Sequence, residues 1–211
     1  YTYQGTETNL TGADTGKYAI TLNDAGRKAV QAALGSNYIL DDAAVFTTTG
    51  TVQATGLGLT IASDTVTYNG QAQGTSVAVT SGTAYDHFDF TTTTGKDVGT
   101  YDNLTYALAD PTQAAILAKN YTVTTADGTL SIDPTKATIT IPNQVYWADG
   151  TQKSLSAVVT GTVNGETLKY RVTDGMSAVG TKTITATPDA NDSVNKNYTI
   201  SVIPGTLTIG D

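Results

Sequence analysis

One set of short motifs occurs three times along this 211-residue chain, in the same order each time. The three sets are Gly16-Lys17-Tyr18, Asn37-Tyr38 and Gly50-Thr51-Val52; then Gly99-Thr100-Tyr101, Asn120-Tyr121 and Gly128-Thr129-Leu130; then Gly180-Thr181-Lys182, Asn197-Tyr198 and Gly205-Thr206-Leu207. Gly16 and Gly99 are 83 residues apart, and Gly99 and Gly180 are 81 apart. Solenoid and propeller units are shorter, at about 20–50 residues. The period therefore predicts a tandem series of small domains, which typically provides reach and multivalency rather than one active site.

The repeat divides the chain into three modules. Residues 56–135 (the middle module) and 136–211 (the third module) carry the complete pattern. Residues 1–55 (the first module) carry only its C-terminal part, because Tyr1-Thr2-Tyr3 stands where Tyr170-Arg171-Val172 stands in the third module, without the roughly thirty residues that precede it there. The junctions are short, which predicts an elongated, semi-rigid rod. We expect a monomeric segment of a longer multidomain chain.

Most of the sequence alternates between apolar and polar residues, as in Thr138-Ile139-Thr140-Ile141. This period of two, with many β-branched residues, is typical of strands that have one buried face. Turn signals such as Asn69-Gly70 and Asp149-Gly150 separate the strands. The sequence therefore predicts a mostly all-β fold of tandem small modules. A β-sandwich of immunoglobulin type and a β-grasp-like sheet are both compatible with the pattern.

Each module is also predicted to contain a short helix or helical turn ahead of its Asn-Tyr pair. Residues 23–34 have a helical composition and end at Gly35. Residues 110–119 have Pro111 at the first helical position. The corresponding stretch of the third module, 188–195, is shorter and poor in helix formers, so we expect a loop or a single turn there.

Composition excludes several classes of partner. The formal net charge is −8 and the isoelectric point is near 4.4, so the chain repels nucleic acid phosphates. No apolar stretch approaches the roughly 18 residues of a membrane-spanning helix, so we expect no membrane insertion. Cysteine is absent from the chain, which rules out disulfides and thiolate metal sites.

The sequence offers little to support catalysis, and we predict that the chain is not an enzyme. His87 is the single histidine, and no Gly-x-Ser-x-Gly nucleophile elbow accompanies it. The carboxylate pairs Asp41-Asp42 and Asp86 with Asp89 have a spacing compatible with glycosidase chemistry, but aspartate is common in turns.

A calcium site is the one cofactor that the sequence suggests, and otherwise we expect none. Asp189, Asn191 and Asp192 place oxygen ligands close together in one loop. This loop lacks the glycine and the terminal glutamate of an EF-hand, and a solvated loop is the alternative.

Aromatic residues are the best candidates for ligand contact. Trp147, with Tyr146 beside it, lies next to the turn that contains Asp149, where an aromatic face can stack on a sugar ring. The alternative is that Trp147 fills the end of a module core. Tyr38, Tyr121 and Tyr198 recur at one place in every module, which favours a structural role for them.

The middle module opens with Val66-Thr67-Tyr68-Asn69-Gly70-Gln71, has Lys96-Asp97-Val98-Gly99-Thr100-Tyr101 at its centre, and ends with Lys119-Asn120-Tyr121-Thr122-Val123 and Gly128-Thr129-Leu130-Ser131-Ile132. These motifs resemble the MBG (mucin-binding-type) repeats, which occur in large surface proteins of lactobacilli and related Gram-positive bacteria. The third module looks like the same family. The resemblance implies an extracellular, cell-wall-anchored protein with tandem β-rich modules and gives no catalytic residues.

Three functions follow as hypotheses. The first is the repeat region of a cell-surface adhesin that binds mucin or host glycans, weakly per module and more strongly in tandem. The second is a structural stalk that holds another domain away from the cell wall. The third is an accessory region of a secreted carbohydrate-active enzyme, which would bind bacterial polysaccharide rather than mucin.

Overall fold

The computed structural model describes residues 2–3, 6–7, 13–41, 46–84 and 86–211. Within these ranges the chain forms twenty β-strands, two α-helices and one 3₁₀ helix, which confirms the prediction of a mostly β fold. Neither α-helix of the described part of the chain has the length and apolar character that crossing a membrane requires.

The strands are β1 (Thr2–Tyr3), β2 (Thr6–Glu7), β3 (Gly16–Thr21), β4 (Thr47–Val52), β5 (Thr55–Ile61), β6 (Asp64–Thr67), β7 (Val77–Gly82), β8 (Phe90–Thr92), β9 (Gly99–Tyr101), β10 (Tyr106–Leu108), β11 (Tyr121–Ala126), β12 (Leu130–Asp133), β13 (Thr135–Thr140), β14 (Gln144–Trp147), β15 (Val158–Thr160), β16 (Tyr170–Val172), β17 (Gly180–Ile184), β18 (Ala186–Pro188), β19 (Tyr198–Ile203) and β20 (Gly205–Gly210). The helices are α1 (Asp24–Leu34), α2 (Pro111–Asn120) and the 3₁₀ helix Asn195–Asn197.

The helices begin where their sequence signals predict. The Asn23 side chain accepts a hydrogen bond from the Gly26 amide at 2.9 Å and caps α1, which ends before Gly35. The Asp110 carboxylate accepts the Thr112 amide at 2.7 Å and caps α2. In the third module only the 3₁₀ helix forms, as expected from its shorter and weaker sequence.

The chain folds into two compact units. The first unit contains Tyr1–Thr60, Val77–Thr91 and Ala107–Ala126, and the second contains Ile61–Ser76, Thr92–Tyr106 and Asp127–Asp211. The middle module thus contributes strands to both units. The module boundaries at 55 and 135 rest on the repeat in the sequence and stay a prediction.

The first unit contains a sheet of order β2-β1-β3-β4 and a sheet of order β11-β5-β7. Strands β3 and β4 pair antiparallel along their whole length, from Gly16 opposite Val52 to Thr21 opposite Thr47. Strands β5 and β11 pair parallel. The buried apolar side chains of this unit include Leu57, Leu59, Leu117 and Tyr121.

In the second unit, the third module forms two three-stranded sheets of order β15-β13-β19 and β14-β20-β17, and β16 pairs with β18. Strand β13 is parallel to β19, and β14 is parallel to β20. The chain passes directly from one sheet to the other between β13 and β14, between β14 and β15, and between β19 and β20, so consecutive strands alternate between the two sheets at these points. Both sheets are mixed, whereas the sheets of an immunoglobulin sandwich are antiparallel. Ile139, Ile184 and Leu207 are fully buried in this module.

The Gly-Thr-Leu motif has a steric explanation. A Cβ atom added to Gly205 would lie 2.2 Å from the carbonyl oxygen of Ile141, and one added to Gly128 would lie 2.4 Å from that of Ile61. Both glycines begin the segment where the last strand of a module passes close to the backbone of its first strand. Only glycine permits this approach, so the motif marks a crossing point of the fold.

The recurring tyrosines take two different environments. Tyr121 and Tyr198 are buried, as predicted for a structural residue, and their hydroxyls donate to Asp86 at 2.7 Å and to Glu166 at 2.6 Å. Tyr38 is 65% exposed, so the prediction of a structural role is wrong for the first module. The cause is the missing neighbour: Tyr121 and Tyr198 begin strands that pair parallel with β5 and β13, and the first module has no counterpart of those strands among its described residues.

Candidate binding surface

The predicted aromatic site lies on β14, an edge strand of the sheet β14-β20-β17. Successive side chains of a strand point to opposite faces, so Val145 and Trp147 share one face and Tyr146 lies on the other. Trp147 is 77% exposed and Val145 is 75% exposed. The alternative that Trp147 fills a core is therefore wrong, and its indole ring faces solvent.

The face that carries Trp147 continues across the sheet as a row of small residues. Thr208 lies opposite Val145, and Gly210 lies opposite Trp147. Thr181 follows on β17, opposite Thr208. A Cβ added to Gly210 would meet no atom within 4 Å, so there is open space on this side of the indole. We call these five residues (Val145, Trp147, Thr181, Thr208 and Gly210) the tryptophan face.

Tyr146 lies on the opposite side of β14 and is half-buried. The Lys153 ammonium is 5.7 Å from the centre of its ring, within the range of a cation–π contact. Lys153 also forms an ion pair with Asp149, with Nζ 2.5 Å from Oδ2. Tyr146 is thus covered by a lysine and is less accessible to a ligand than Trp147.

Asp149 organises the turn that follows β14. Its Oδ1 accepts the Thr151 amide at 2.9 Å and the Thr151 hydroxyl at 2.6 Å, while Oδ2 pairs with Lys153. The hydrogen bond from Lys153, followed by those from Thr151, holds the pKa of Asp149 well below its usual range. Of the three predicted contact residues, Trp147 and Asp149 are exposed and Tyr146 is half-buried, and both carboxylate oxygens of Asp149 are used within the turn.

The loop predicted to bind calcium uses its carboxylates for internal hydrogen bonds. Asp192 is buried; its Oδ1 accepts the amides of Val194 at 3.0 Å and Asn195 at 3.1 Å, and its Oδ2 lies 2.6 Å from Lys169 Nζ. Lys169, followed by the amide of Asn195, lowers the pKa of Asp192. Asp189 accepts the amide of Asn191 at 2.9 Å. In the described ranges, no three histidine, cysteine, aspartate or glutamate side chains converge on a metal position, so a calcium site stays a prediction from spacing alone.

The residues considered for catalysis are dispersed. His87 Nε2 is 2.8 Å from Asp89 Oδ1, and both side chains are exposed to solvent. Asp86 accepts the Tyr121 hydroxyl and so supports a buried tyrosine. Asp41 is exposed, and Asp42 lies outside the described residues. Asp41, Asp86 and Asp89, the members of the two candidate pairs that the structure describes, are all exposed to solvent.

The model of one protein family matches the N-terminal part of the chain. Residues 1–56 match the MBG domain. No curated protein and no solved structure matches the chain. The match confirms the suspected MBG resemblance for residues 1–56, and the resemblance of the two later modules stays a prediction from the internal repeat.

The repeat in the sequence did not predict the contact between the middle and third modules. Glu166 of the third module accepts a hydrogen bond at 2.6 Å from Tyr68 of the middle module and another at 2.6 Å from Tyr198. The two tyrosine rings meet edge to face, with centroids 5.7 Å apart. Burial, followed by the hydrogen bond to Glu166, raises the pKa of Tyr68, and the same two causes raise that of Tyr198. The one sequence signal for this joint is the tyrosine in the opening motif of the middle module.

Proposed function

We propose that this chain is a non-catalytic repeat region of an adhesin on the surface of a Gram-positive bacterium, and that it binds the glycans of mucin. The MBG match supports a mucin-binding-type repeat. The observation that carries the proposal is the exposure of Trp147 on an edge strand. An exposed indole offers a flat aromatic surface, on which the C–H face of a sugar ring can stack.

The tryptophan face suits a neutral sugar. The open space above Gly210 leaves room beside the indole, and the hydroxyls of Thr181 and Thr208 are hydrogen-bonding groups for sugar hydroxyls. Lys153, which lies over the ring of Tyr146 beside Trp147, is paired with Asp149, and the chain carries a net charge of −8. We therefore expect sialylated or sulfated ends to bind less well than neutral ones, because like charges repel.

A glycan titration tests this proposal directly. Trp147 is the single tryptophan of the chain, so its fluorescence reports on this face alone. We expect mucin glycans from which sialic acid has been removed to change the emission saturably, with an affinity on the order of 1 mM per site, which corresponds to about 4 kcal/mol. Binding to immobilised mucin is then measured for Trp147→Ala.

The matched control is Val158→Ala, which removes an exposed apolar side chain from a different sheet. We expect Trp147→Ala to lose binding at least about tenfold and Val158→Ala to bind as the unaltered chain does. Equal binding by both variants would contradict a site at the tryptophan face. Failure of the unaltered chain to bind any mucin glycan at millimolar concentration would contradict the adhesin function as a whole.

A structural stalk is the second candidate, and the joint at Glu166 favours it. A carboxylate that accepts two tyrosine hydroxyls from neighbouring modules restrains the hinge between them. A stalk predicts that binding is absent while this joint remains rigid. The two functions are therefore distinguished by the same titration.

A further inference from the structure

Two loops of the chain have the same sequence pattern and the same backbone conformation. Asp14-Thr15-Gly16 precedes β3, and Asp97-Val98-Gly99 precedes β9. Gly16 has φ +156° and Gly99 has φ +155°, a conformation that residues with side chains rarely adopt. We call these two segments the Asp-x-Gly loops.

In the second unit an asparagine of the third module holds the Asp-x-Gly loop of the middle module. Asn197 Oδ1 accepts the Val98 amide at 2.8 Å, and Asn197 Nδ2 donates to Asp97 Oδ1 at 3.0 Å. Asn197 is only 3% exposed. Both polar ends of one carboxamide are thus satisfied by one loop from another module.

In the first unit the same arrangement occurs between the first and middle modules. Asn120 Oδ1 accepts the Thr15 amide at 2.9 Å, and Asn120 Nδ2 donates to Asp14 Oδ1 at 2.8 Å. Lys119 adds an ion pair to the other carboxylate oxygen of Asp14, at 2.6 Å. The Lys119 hydrogen bond, followed by that of Asn120, lowers the pKa of Asp14.

We propose that the asparagine of each Asn-Tyr pair is the group by which a module docks on the Asp-x-Gly loop of the module before it. We call this contact the asparagine bridge. The partner that fits this surface is another repeat of the same kind, presenting an aspartate carboxylate and the next backbone amide. The same atoms meet in the same roles in two separate units, across about 100 residues of chain each time.

The chemistry of the bridge requires an asparagine. A carboxamide presents one acceptor and one donor side by side, which matches an amide N–H beside a carboxylate. An aspartate in its place would face the carboxylate of the loop and repel it. A leucine would leave both loop groups without their hydrogen bonds, which destabilises the contact wherever such a group stays buried.

Each motif has one further copy, for which the asparagine bridge predicts a role. Asn37 is the equivalent asparagine of the first module, and it is exposed, so it presents a docking group to the loop of a further repeat. The third module has Ala178-Val179-Gly180 at the place of the loop. Gly180 keeps the backbone conformation, with φ +144°, but Ala178 has no carboxylate. A repeat docked there would make one hydrogen bond of the two.

The experiment measures how tightly the middle and third modules are held together in the full chain. Because the chain has no cysteine, spin labels can be attached uniquely at Thr65→Cys and Thr160→Cys, which are exposed positions in the middle and third modules. Pulsed dipolar spectroscopy then gives the distribution of distances between the labels. We expect a narrow distribution in the parent and a broad one in Asn197→Asp.

The reciprocal variant decides the assignment. In Asp97→Asn combined with Asn197→Asp, the new carboxylate accepts the Val98 amide and the new carboxamide donates to it, so both hydrogen bonds are restored in exchanged roles. We expect the narrow distribution to return. The control Asn191→Ala, an exposed asparagine of the same module, should leave the distribution narrow. A narrow distribution in Asn197→Asp, or a broad one in the reciprocal variant, would overturn the proposal. Recovery in the reciprocal variant also separates lost docking from general misfolding of the single variant.

Discussion

Two sheets of the second unit have the same topology and register but present different surfaces. In the middle module β12 lies between β6, which is parallel to it, and β9, which is antiparallel. In the third module β20 lies between β14 and β17 in the same senses. Thr67 of the middle module is equivalent to Trp147 of the third module, since each is the last paired residue of its edge strand.

The residue that follows the edge strand also differs between the two modules, and here the aromatic residue belongs to the middle module. The middle module follows its edge strand with Tyr68, which is buried and donates to Glu166 of the third module. The third module has Ala148 there, which makes no such joint. The same sheet therefore serves two purposes: in the middle module its aromatic side chain contacts the neighbouring module, and in the third module its aromatic side chain faces solvent.

Removing a core leucine from either sheet tests whether the two scaffolds are equivalent, and it has the largest expected effect. Leu130 and Leu207 occupy matching positions and are both fully buried. We expect Leu130→Ala and Leu207→Ala each to lower the free energy of unfolding by about 2–5 kcal/mol, measured in urea. The control Val145→Ala removes an exposed side chain and should change it by less than about 0.5 kcal/mol. A clear loss from one leucine only would show that the sheets are not equivalent.

The Glu166 joint is the contact that the aromatic residue of the middle module makes with the third module. We expect its loss to give the second-largest decrease in the free energy of unfolding. Glu166→Gln replaces one carboxylate oxygen by an N–H donor and removes the charge, so one tyrosine hydroxyl loses its acceptor and the other bond is weakened, with an expected cost of about 1–3 kcal/mol. Glu166→Asp keeps the charge and serves as the control for shortened reach. Unchanged unfolding of the glutamine variant would mean that the joint does not stabilise the chain.

The joint also predicts a dependence on alkaline pH. The pKa of Tyr68 is raised from 10.0 in the folded chain. The stabilisation is therefore present in full below pH 10 and is lost as the pH rises through the folded pKa. We expect the parent to lose stability steadily above pH 10, and Glu166→Gln to lose less because one cause of the shift is removed. Ultraviolet absorbance of tyrosinate follows the titration, and identical curves would contradict the assignment.

Moving the tryptophan to the middle module tests whether the equivalent sheet can carry the same binding surface. Thr67→Trp with Asp133→Gly reproduces the pair formed by Trp147 and Gly210 on the sheet of the middle module. In a Trp147→Ala background we expect this double substitution to restore mucin binding to within about threefold of the parent, since both sheets offer the same platform. Thr67→Trp alone is the matched control, because Asp133 would crowd the ring. No recovery would show that residues beyond the tryptophan face are required.

A substitution in the turn beside Trp147 should have the smallest effect on stability. Asp149 is an exposed group, so Asp149→Asn should lower the melting temperature only slightly. The pKa of Asp149 is lowered from 3.8 in the folded chain, so its contribution is present above pH 3.8 and lost as the pH falls further. The difference between variant and parent should therefore vanish in strong acid. If the difference in stability between Asp149→Asn and the parent persists in strong acid, the charge of Asp149 is not its cause.

Local signals predicted most of the secondary structure. Pro111 and Asp110 mark the start of α2 because a cap and a fixed φ act within one turn, and the alternation around Ile139 gives a strand because the period is a property of the segment itself. Parallel pairing was not predicted, since turn signals favour hairpins and the partners β13 and β19 are far apart in sequence.

The candidate site was predicted only in part. The run Val145-Tyr146-Trp147 is apolar on both faces of its strand, so the sequence alone does not say which face is buried. The docking roles of Asn120 and Asn197 were missed because each partner lies about 100 residues away and each motif resembles an ordinary turn. The recurrence of the Asn-Tyr pair favoured a structural role for its tyrosine and gave no indication that its asparagine contacts another module.

The parallel pairing of the first and last strands has a mechanical consequence. In the third module the chain enters along β13 and leaves along β20, and each runs beside a parallel partner, β19 and β14. A force that pulls the two ends apart drives these neighbours past one another lengthwise, so the hydrogen bonds of a ladder bear the load together instead of opening one at a time. Tension applied to the two ends of this module would therefore be shared among several hydrogen bonds at once.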